Sequence, residues 1–300
     1  MINIVIAIYD LEMAHVGDPM MDLASIHICM VIFRGAVVRL CNKIKVLNMS
    51  KDEFTDKTVL VTGAASGLGR AASIRFAEKG ARLCLVDMDG DGLAKTCAVI
   101  IKAGGKAVTY SGDLGDPANC VKAVASAVDT FGSLDILCNV AGILRFHALA
   151  DVTPDDWNKL FSANVNAAFF MIQSAMPHLI EAKGNVVNIV STAAFIGQAY
   201  TGPYAATKAA LLSLTKSLAM EFIKQPVRIN ALAPGGMMTE MVQNLEFPED
   251  ADKSLIERYI GIRPPSEPDD IVEPLMFLAS DRARSVHGAC YVADNGITAG

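Results

Sequence analysis

From Thr58 onward the chain alternates short β-branched or apolar runs with longer amphipathic segments, and few folds accommodate that pattern. "TVLVTG" (58–63), "ARLCLVD" (81–87), "KAVTY" (106–110), "LDILCNV" (134–140), "NVVNIV" (185–190), "VRINALA" (227–233) and "GACYVAD" (288–294) read as buried strands. Helical patterns fill most intervals, at 67–80, 90–104, 116–131, 154–182, 203–224 and 268–280. Strands without a polar face, separated by helix-length segments, predict a parallel sheet covered on both sides. The fold class is α/β: a doubly wound, mostly parallel sheet of Rossmann type, forming a single domain over residues 55–300. The polar stretch "MSKDEFTDK" (49–57) parts it from an apolar beginning. Residues 1–54 are therefore expected to be an atypical N-terminal extension.

Charge and cysteine usage narrow the partners. The net charge is −6 with no run of Lys or Arg, which argues against nucleic acid and against electrostatic membrane association. The most apolar uncharged run near the start, "LASIHICMVIF", is far short of the roughly 20 residues that span a bilayer. It also lacks a basic n-region, so a soluble chain with no membrane partner is expected. Seven scattered cysteines without a CxxC pair suit a reducing cytoplasm. The five histidines show no ligand spacing, so no metal site is expected.

The first chemical motif is "TGAASGLGR", between a strand and a helix. Gly63, Gly67 and Gly69 let the backbone turn tightly and approach a ligand, while the helix N-terminus offers N–H groups to a pyrophosphate. A Gly-rich turn alone is an ordinary connection; its position between strand and helix is what gives it force. The next strand ends in Asp87, where a carboxylate can accept from both ribose hydroxyls and repels a 2′-phosphate. Unit charges about 4 Å apart repel by roughly 1 kcal/mol in water and about 4 at intermediate dielectric. Ser66 and Met88 supply no compensating cation, so NAD is expected over NADP.

The second motif is "PYAATK" at the start of an apolar helix, with Lys208 four residues after Tyr204 and thus on the same face. Free tyrosine titrates near pH 10, and a neighbouring ammonium favours the phenolate. Such a pair is either a surface contact or a means of making a phenol acidic enough for general acid/base work.

Taken together, "TGxxxGxG … NxAG … S … YxxxK … PG" resembles the short-chain dehydrogenase/reductase family over roughly residues 55–300, with Ser191 lying 13 residues before Tyr204. The resemblance implies Tyr204 as general acid/base, Lys208 lowering its pKa and binding the nicotinamide ribose, Ser191 orienting the substrate oxygen, and Asn164 holding a water in a proton relay. It implies a cofactor site built from Gly63, Ser66, Gly67, Leu68, Gly69, Asp87 and Met88, with Asp113 and Leu114 at the adenine. Asn139, Ala141 and Gly142 belong to the same site, though "NVAG" departs from the commoner NNAG at Val140. Tyr204, Lys208, Pro234, Gly235, Met237 and Thr239 complete it near the nicotinamide. Segment 240–262 is expected to form a substrate lid, with Phe146, His147, Phe195 and Met241 as pocket candidates that could equally be core or rim. Family members are often homo-tetramers or dimers packed through helices 154–182 and 203–224.

The implied activity is hydride transfer between NAD(H) and a secondary alcohol or ketone. A 3-oxoacyl (acyl-carrier-protein) reductase and a non-catalytic dinucleotide-sensing protein stay open as alternatives. The beginning carries a different likeness: "YDLEMAHVGDPMMDLA" is similar to a fragment of aminoglycoside-phosphotransferase-like kinases, through Asp10, Glu12, His15, Gly17, Asp18, Pro19, Asp22 and Leu23. A phosphotransferase needs a catalytic loop and a nucleotide lobe to position phosphate and metal. Only nine residues precede Asp10, so no kinase activity is expected.

Overall fold

Seven strands, all parallel, form one sheet in the order β3-β2-β1-β4-β5-β6-β7. They are β1 Thr58–Thr62, β2 Arg82–Asp87, β3 Lys106–Ser111, β4 Ile136–Asn139, β5 Asn185–Ile189, β6 Arg228–Pro234 and β7 Cys290–Ala293. The computed structural model describes residues 53–243 and 245–299. The chain divides into two units, Met1–Ser50 and Lys51–Gly300, and the described residues all belong to the second. The kinase-like stretch therefore lies outside the described residues.

Each expected strand is present, because its residues can only be satisfied inside a layered fold. All of β1, β4 and β5 is buried on both faces, as a central parallel strand must be. The helices are α1 Gly67–Glu78, α2 Gly90–Lys102, α3 Pro117–Phe131, α4 Pro154–Phe161, α5 Ala167–Glu181, α6 Gly202–Glu221, α7 Glu240–Gln243, α8 Lys253–Glu257 and α9 Pro268–Ala279. Several starts follow from local chemistry. Asp89 and Asp116 accept from the amides of Gly92 and Ala118, and Thr153 with Asp156 makes a reciprocal capping box. One face of the sheet packs Cys120, Val124, Met171, Ile172 and Leu179 from α3 and α5 against Leu60, Cys84 and Leu137. On the other, α1 packs beside α2 and α9.

One expectation needs correction. Residues 154–182 are not one helix: a π-turn at Ser162–Asn166 separates α4 from α5. Hydropathy carries no trace of it, because the turn is imposed by hydrogen bonds to another loop, described below. The order of strands reverses direction between β1 and β4. At that switch point the loops leaving the two strands diverge and open a crevice at their C-terminal ends.

Candidate active site

The crevice is floored by the glycine turn. Gly63 has φ +71°, and a Cβ there would come within 3.0 Å of the Ala141 backbone. A Cβ on Gly69 would lie 2.0 Å from the Gly63 carbonyl oxygen, so helix and strand could not approach as they do with any other residue. Ser66 precedes α1 without capping it through its side chain, so the first amides of that helix stay available to an anion. The resulting cavity, about 300 Å³, is lined by Gly63, Ser66, Gly67, Leu68, Gly69, Asp87, Met88, Asp113, Leu114, Ala141, Gly142, Met237 and Thr239 among the expected cofactor residues. Glycines that exclude side chains, uncapped amides at one end and a carboxylate at the other fit a dinucleotide.

Asp87 is held rigidly. Its Oδ2 accepts from the Ala65 amide at 3.1 Å and its Oδ1 from the Asp89 amide at 3.0 Å. Asp113 is pinned through the Gly115 amide at 2.8 Å. Sequence reasoning missed Thr62, whose Oγ1 accepts from both the Val140 and Ala141 amides at 3.0 Å and ties the end of β4 to the glycine turn. A threonine closing an apolar strand was its only signal. It also missed Arg70, which donates to the Ala65 carbonyl and to Glu240 at 3.4 Å and so joins the glycine turn to α7.

A second cavity of about 100 Å³ shares Val140, Gly142, Ile143, Ile189 and Met237 with the first. Its other walls include Ser191, Tyr204, Lys208, Pro234 and Gly235. Thus the two sequence motifs, far apart in the chain, line adjoining cavities with common walls, together called the channel below. Ser191 follows β5 and caps a short 3-10 turn, its Oγ accepting from Ala193 at 3.2 Å. Tyr204 lies in the first turn of α6 and lines the same cavity as Ser191. Lys208, one turn on and buried, donates to the Ile189 carbonyl at 2.9 Å, its Nζ 5.7 Å from the centre of the Tyr204 ring.

Two expected residues stand behind these walls. Asn139 is buried in the sheet, donating to Asn188, which in turn donates to Thr215. Asn164 is 1% exposed and clamps the loop after β4: its Oδ1 accepts from the Ile143 amide at 2.8 Å, while its Nδ2 donates to the Ile143 carbonyl and to Thr207, each at 3.0 Å. Phe146 packs on Phe247 with ring centroids 4.5 Å apart, Phe195 is exposed, and the amide of His147 donates to the Tyr200 carbonyl. The side chain of Met241 lies outside the described residues.

Burial pushes the Tyr204 phenol above its ordinary value, opposed by the Ser191 hydroxyl, and pushes Lys208 down to about 8.

The sheet order, the glycine cradle and this side-chain set have counterparts among known proteins. A family model described as Enoyl-(Acyl carrier protein) reductase matches residues 63–298. L-rhamnose 1-dehydrogenase (NAD(P)(+)) of Sphingomonas sp. (strain SKA58) is 38% identical over 248 residues, covering 80% of this chain and 96% of the relative. This chain is a short-chain dehydrogenase/reductase. Another relative in the family, 2,5-dichloro-2,5-cyclohexadiene-1,4-diol dehydrogenase LinX of Sphingobium indicum (strain DSM 16412 / CCM 7286 / MTCC 6364 / B90A), is 36% identical over 83% of this chain and 99% of its own. The crystal structure of a short chain dehydrogenase from Burkholderia cenocepacia J2315 in complex with NADP superposes with a TM-score of 0.75, at 31% identity, over 82% of this chain and 99% of that one. As a short-chain dehydrogenase/reductase, the protein is an NAD(P)-dependent oxidoreductase acting on CH–OH groups. Among the described residues no helix is long and apolar enough to cross a membrane.

Proposed function

We propose that the enzyme exchanges hydride between NAD and a ring-borne secondary alcohol, with Tyr204 as general acid/base. The observation that carries this reading is that the cavity lined by Ser191, Tyr204 and Lys208 adjoins the glycine cradle and shares Val140, Gly142, Ile143, Ile189 and Met237 with it. A bound nicotinamide dinucleotide supplies the hydride acceptor in oxidation and the donor in reduction. Ser191 hydrogen-bonds the substrate oxygen and holds it against the Tyr204 hydroxyl. In ketone reduction the phenol gives up its proton to that oxygen; in alcohol oxidation the phenolate takes one. Lys208, fixed on the Ile189 carbonyl, would bind the nicotinamide ribose. Positive charge brought into the site favours the phenolate and counters the effect of burial.

NAD is preferred on this reading because the Asp87 carboxylate, held by two amides at the end of β2, would repel a 2′-phosphate. Two relatives named for hydroxyl-bearing rings, L-rhamnose and a cyclohexadienediol, motivate the substrate class. We assign Asn164 to shaping the loop at Ile143. We propose a homo-oligomer, dimer or tetramer, in a reducing cytoplasm, and no phosphotransfer by residues 1–48.

The test is Tyr204→Phe, assayed by NADH absorbance on a panel of L-rhamnose, cyclohexanol and cyclohexane-1,2-diol and their ketones or lactones. Turnover of the active substrate should fall by about three orders of magnitude or more, in line with loss of a general acid/base. The Kd for NAD should change little. Turnover retained by Tyr204→Phe rejects the assigned role.

A further inference from the structure

Residues 236–243 and 245–266 lie between β6 and α9. Met237 lines both cavities at the outset. Farther on, Phe247 packs on Phe146, the Asp252 amide donates to the Tyr200 hydroxyl at 2.9 Å, and the Tyr259 hydroxyl donates to the Ala199 carbonyl at 2.9 Å. The segment thus spans from the nucleotide cradle to the loop between Ser191 and Tyr204.

Its two legs are joined at the base. The Ser266 amide donates to the Gly236 carbonyl at 3.0 Å, and the Met238 amide donates to the Ser266 carbonyl at 2.9 Å, making a parallel bridge between Met237 and Ser266. The C-terminal turn grips this joint. Asn295 Nδ2 donates to the Pro264 carbonyl at 3.0 Å and to Ser266 Oγ at 3.1 Å. Asn295 has φ +56°, a left-handed conformation for which glycine is the default residue. Glycine there would make neither bond. Beside it, Ile297 fills the space against Gly235 and Gly261, which flank the segment: a Cβ on them would come within 3.1 and 2.7 Å of its side chain.

We propose that Asn295 is a positioning residue for the substrate lid: through Pro264 and Ser266 it holds Met237 at the junction of the two cavities. The proposal rests on the reading of the channel given under Proposed function, and extends it to a residue outside that channel. Asparagine adopts the left-handed conformation that the turn requires, and its amide supplies the two donors that the base of the lid lacks.

The test compares Asn295→Gly and Ser266→Ala, singly and together, in the full chain. One readout is KM and kcat for NAD and for the panel alcohol turned over best. The other is the rate of tryptic cleavage inside the lid, after Lys253 and Arg258. Asn295→Gly can adopt the same backbone conformation and removes the two bonds, so KM should rise about three- to tenfold with kcat within about twofold. Its Tm should fall by only a few degrees, which leaves the chain fully folded at the assay temperature. Cleavage of the lid should accelerate by a similar factor. Adding Ser266→Ala to Asn295→Gly should cost less than Ser266→Ala costs alone, as expected for residues sharing a bond. Unchanged KM and cleavage in Asn295→Gly overturn the proposal, and so does a KM rise that merely follows a fall in Tm. Absence of any turnover by the wild-type chain counts against the function proposed above instead, and the cleavage rates then decide the role of Asn295 on their own.

Discussion

Asp87 shows how one side chain is prepared for a ligand by its own backbone. Each carboxylate oxygen accepts one amide, from Ala65 and from Asp89, which fixes the group toward the cavity and leaves further lone pairs free. Ribose hydroxyls can use those lone pairs, whereas a 2′-phosphate meets an immobile negative charge. Asp87→Ala should therefore shrink the ratio of kcat/KM for NAD over NADP by one to three powers of ten, given repulsion of about 1–4 kcal/mol between nearby charges. Steady-state kinetics with both coenzymes check this, and an unchanged ratio removes Asp87 from the discrimination. Asp87, Tyr204 and Lys208 were all readable in the sequence, because their chemistry fixes where each must stand relative to a strand end or helix start. The desolvation of the pair was not readable, because it depends on how the sheet and helices close over both groups; it pushes the Tyr204 phenol up and Lys208 down. Thr62 went unseen for a related reason: its hydroxyl acts on amides 78 and 79 residues away.

Among the secondary elements, the break between α4 and α5 is where local pattern and tertiary demand part company. Residues 154–182 have the composition of one helix, with Leu160 and Phe161 before the turn at Ser162–Asn166 and Ala167, Ala168, Phe169 and Met171 after it. What interrupts the helix is Asn164, which satisfies both backbone groups of Ile143 and also Thr207. π-Turns of this kind concentrate at functional sites, since the extra residue redirects a side chain at some cost in helix geometry. A Cβ on Gly142 would lie 3.0 Å from Asn164 Oδ1 and 3.3 Å from Lys208 Nζ, so this clamp sets the wall against which the lysine rests. Asn164→Ala would leave buried groups on Ile143 unpaired, costing about 2–4 kcal/mol in all. For a domain of this size that corresponds to a fall in Tm of roughly 5–15 °C by calorimetry, together with lower kcat as the channel wall loosens. Asn164→Asp keeps the acceptor for the Ile143 amide but sets an acceptor oxygen against the Ile143 carbonyl at a buried site, so it too should be destabilised. A Tm within about 2 °C of wild type in Asn164→Ala would count against the clamp.

For the molecule as a whole, the open matter is where the folded enzyme begins. Phe54 is 2% exposed, meets Phe76 edge-on with centroids 4.9 Å apart, and its amide donates to the Lys79 carbonyl at 3.0 Å. Glu53 pairs with Arg282 at 3.0 Å. The domain therefore takes in residues 53 and 54, slightly ahead of the Thr55 boundary suggested by composition, because a short polar stretch hides a core phenylalanine. The relatives named above match about four-fifths of this chain and nearly all of their own length. A chain starting at Met49 should then keep kcat and KM within about twofold of the full protein, with a Tm shift of a few degrees at most. A chain starting at Lys57 loses Phe54 and should be destabilised by about 3–5 kcal/mol, the cost of emptying a phenylalanine site in a core. Measuring Tm and NAD-linked turnover for the two truncations side by side separates the contributions. Loss of activity in a folded chain starting at Met49 would mean that residues 1–48 serve the reaction. Equal stability of both truncations would mean that Phe54 is dispensable despite its burial.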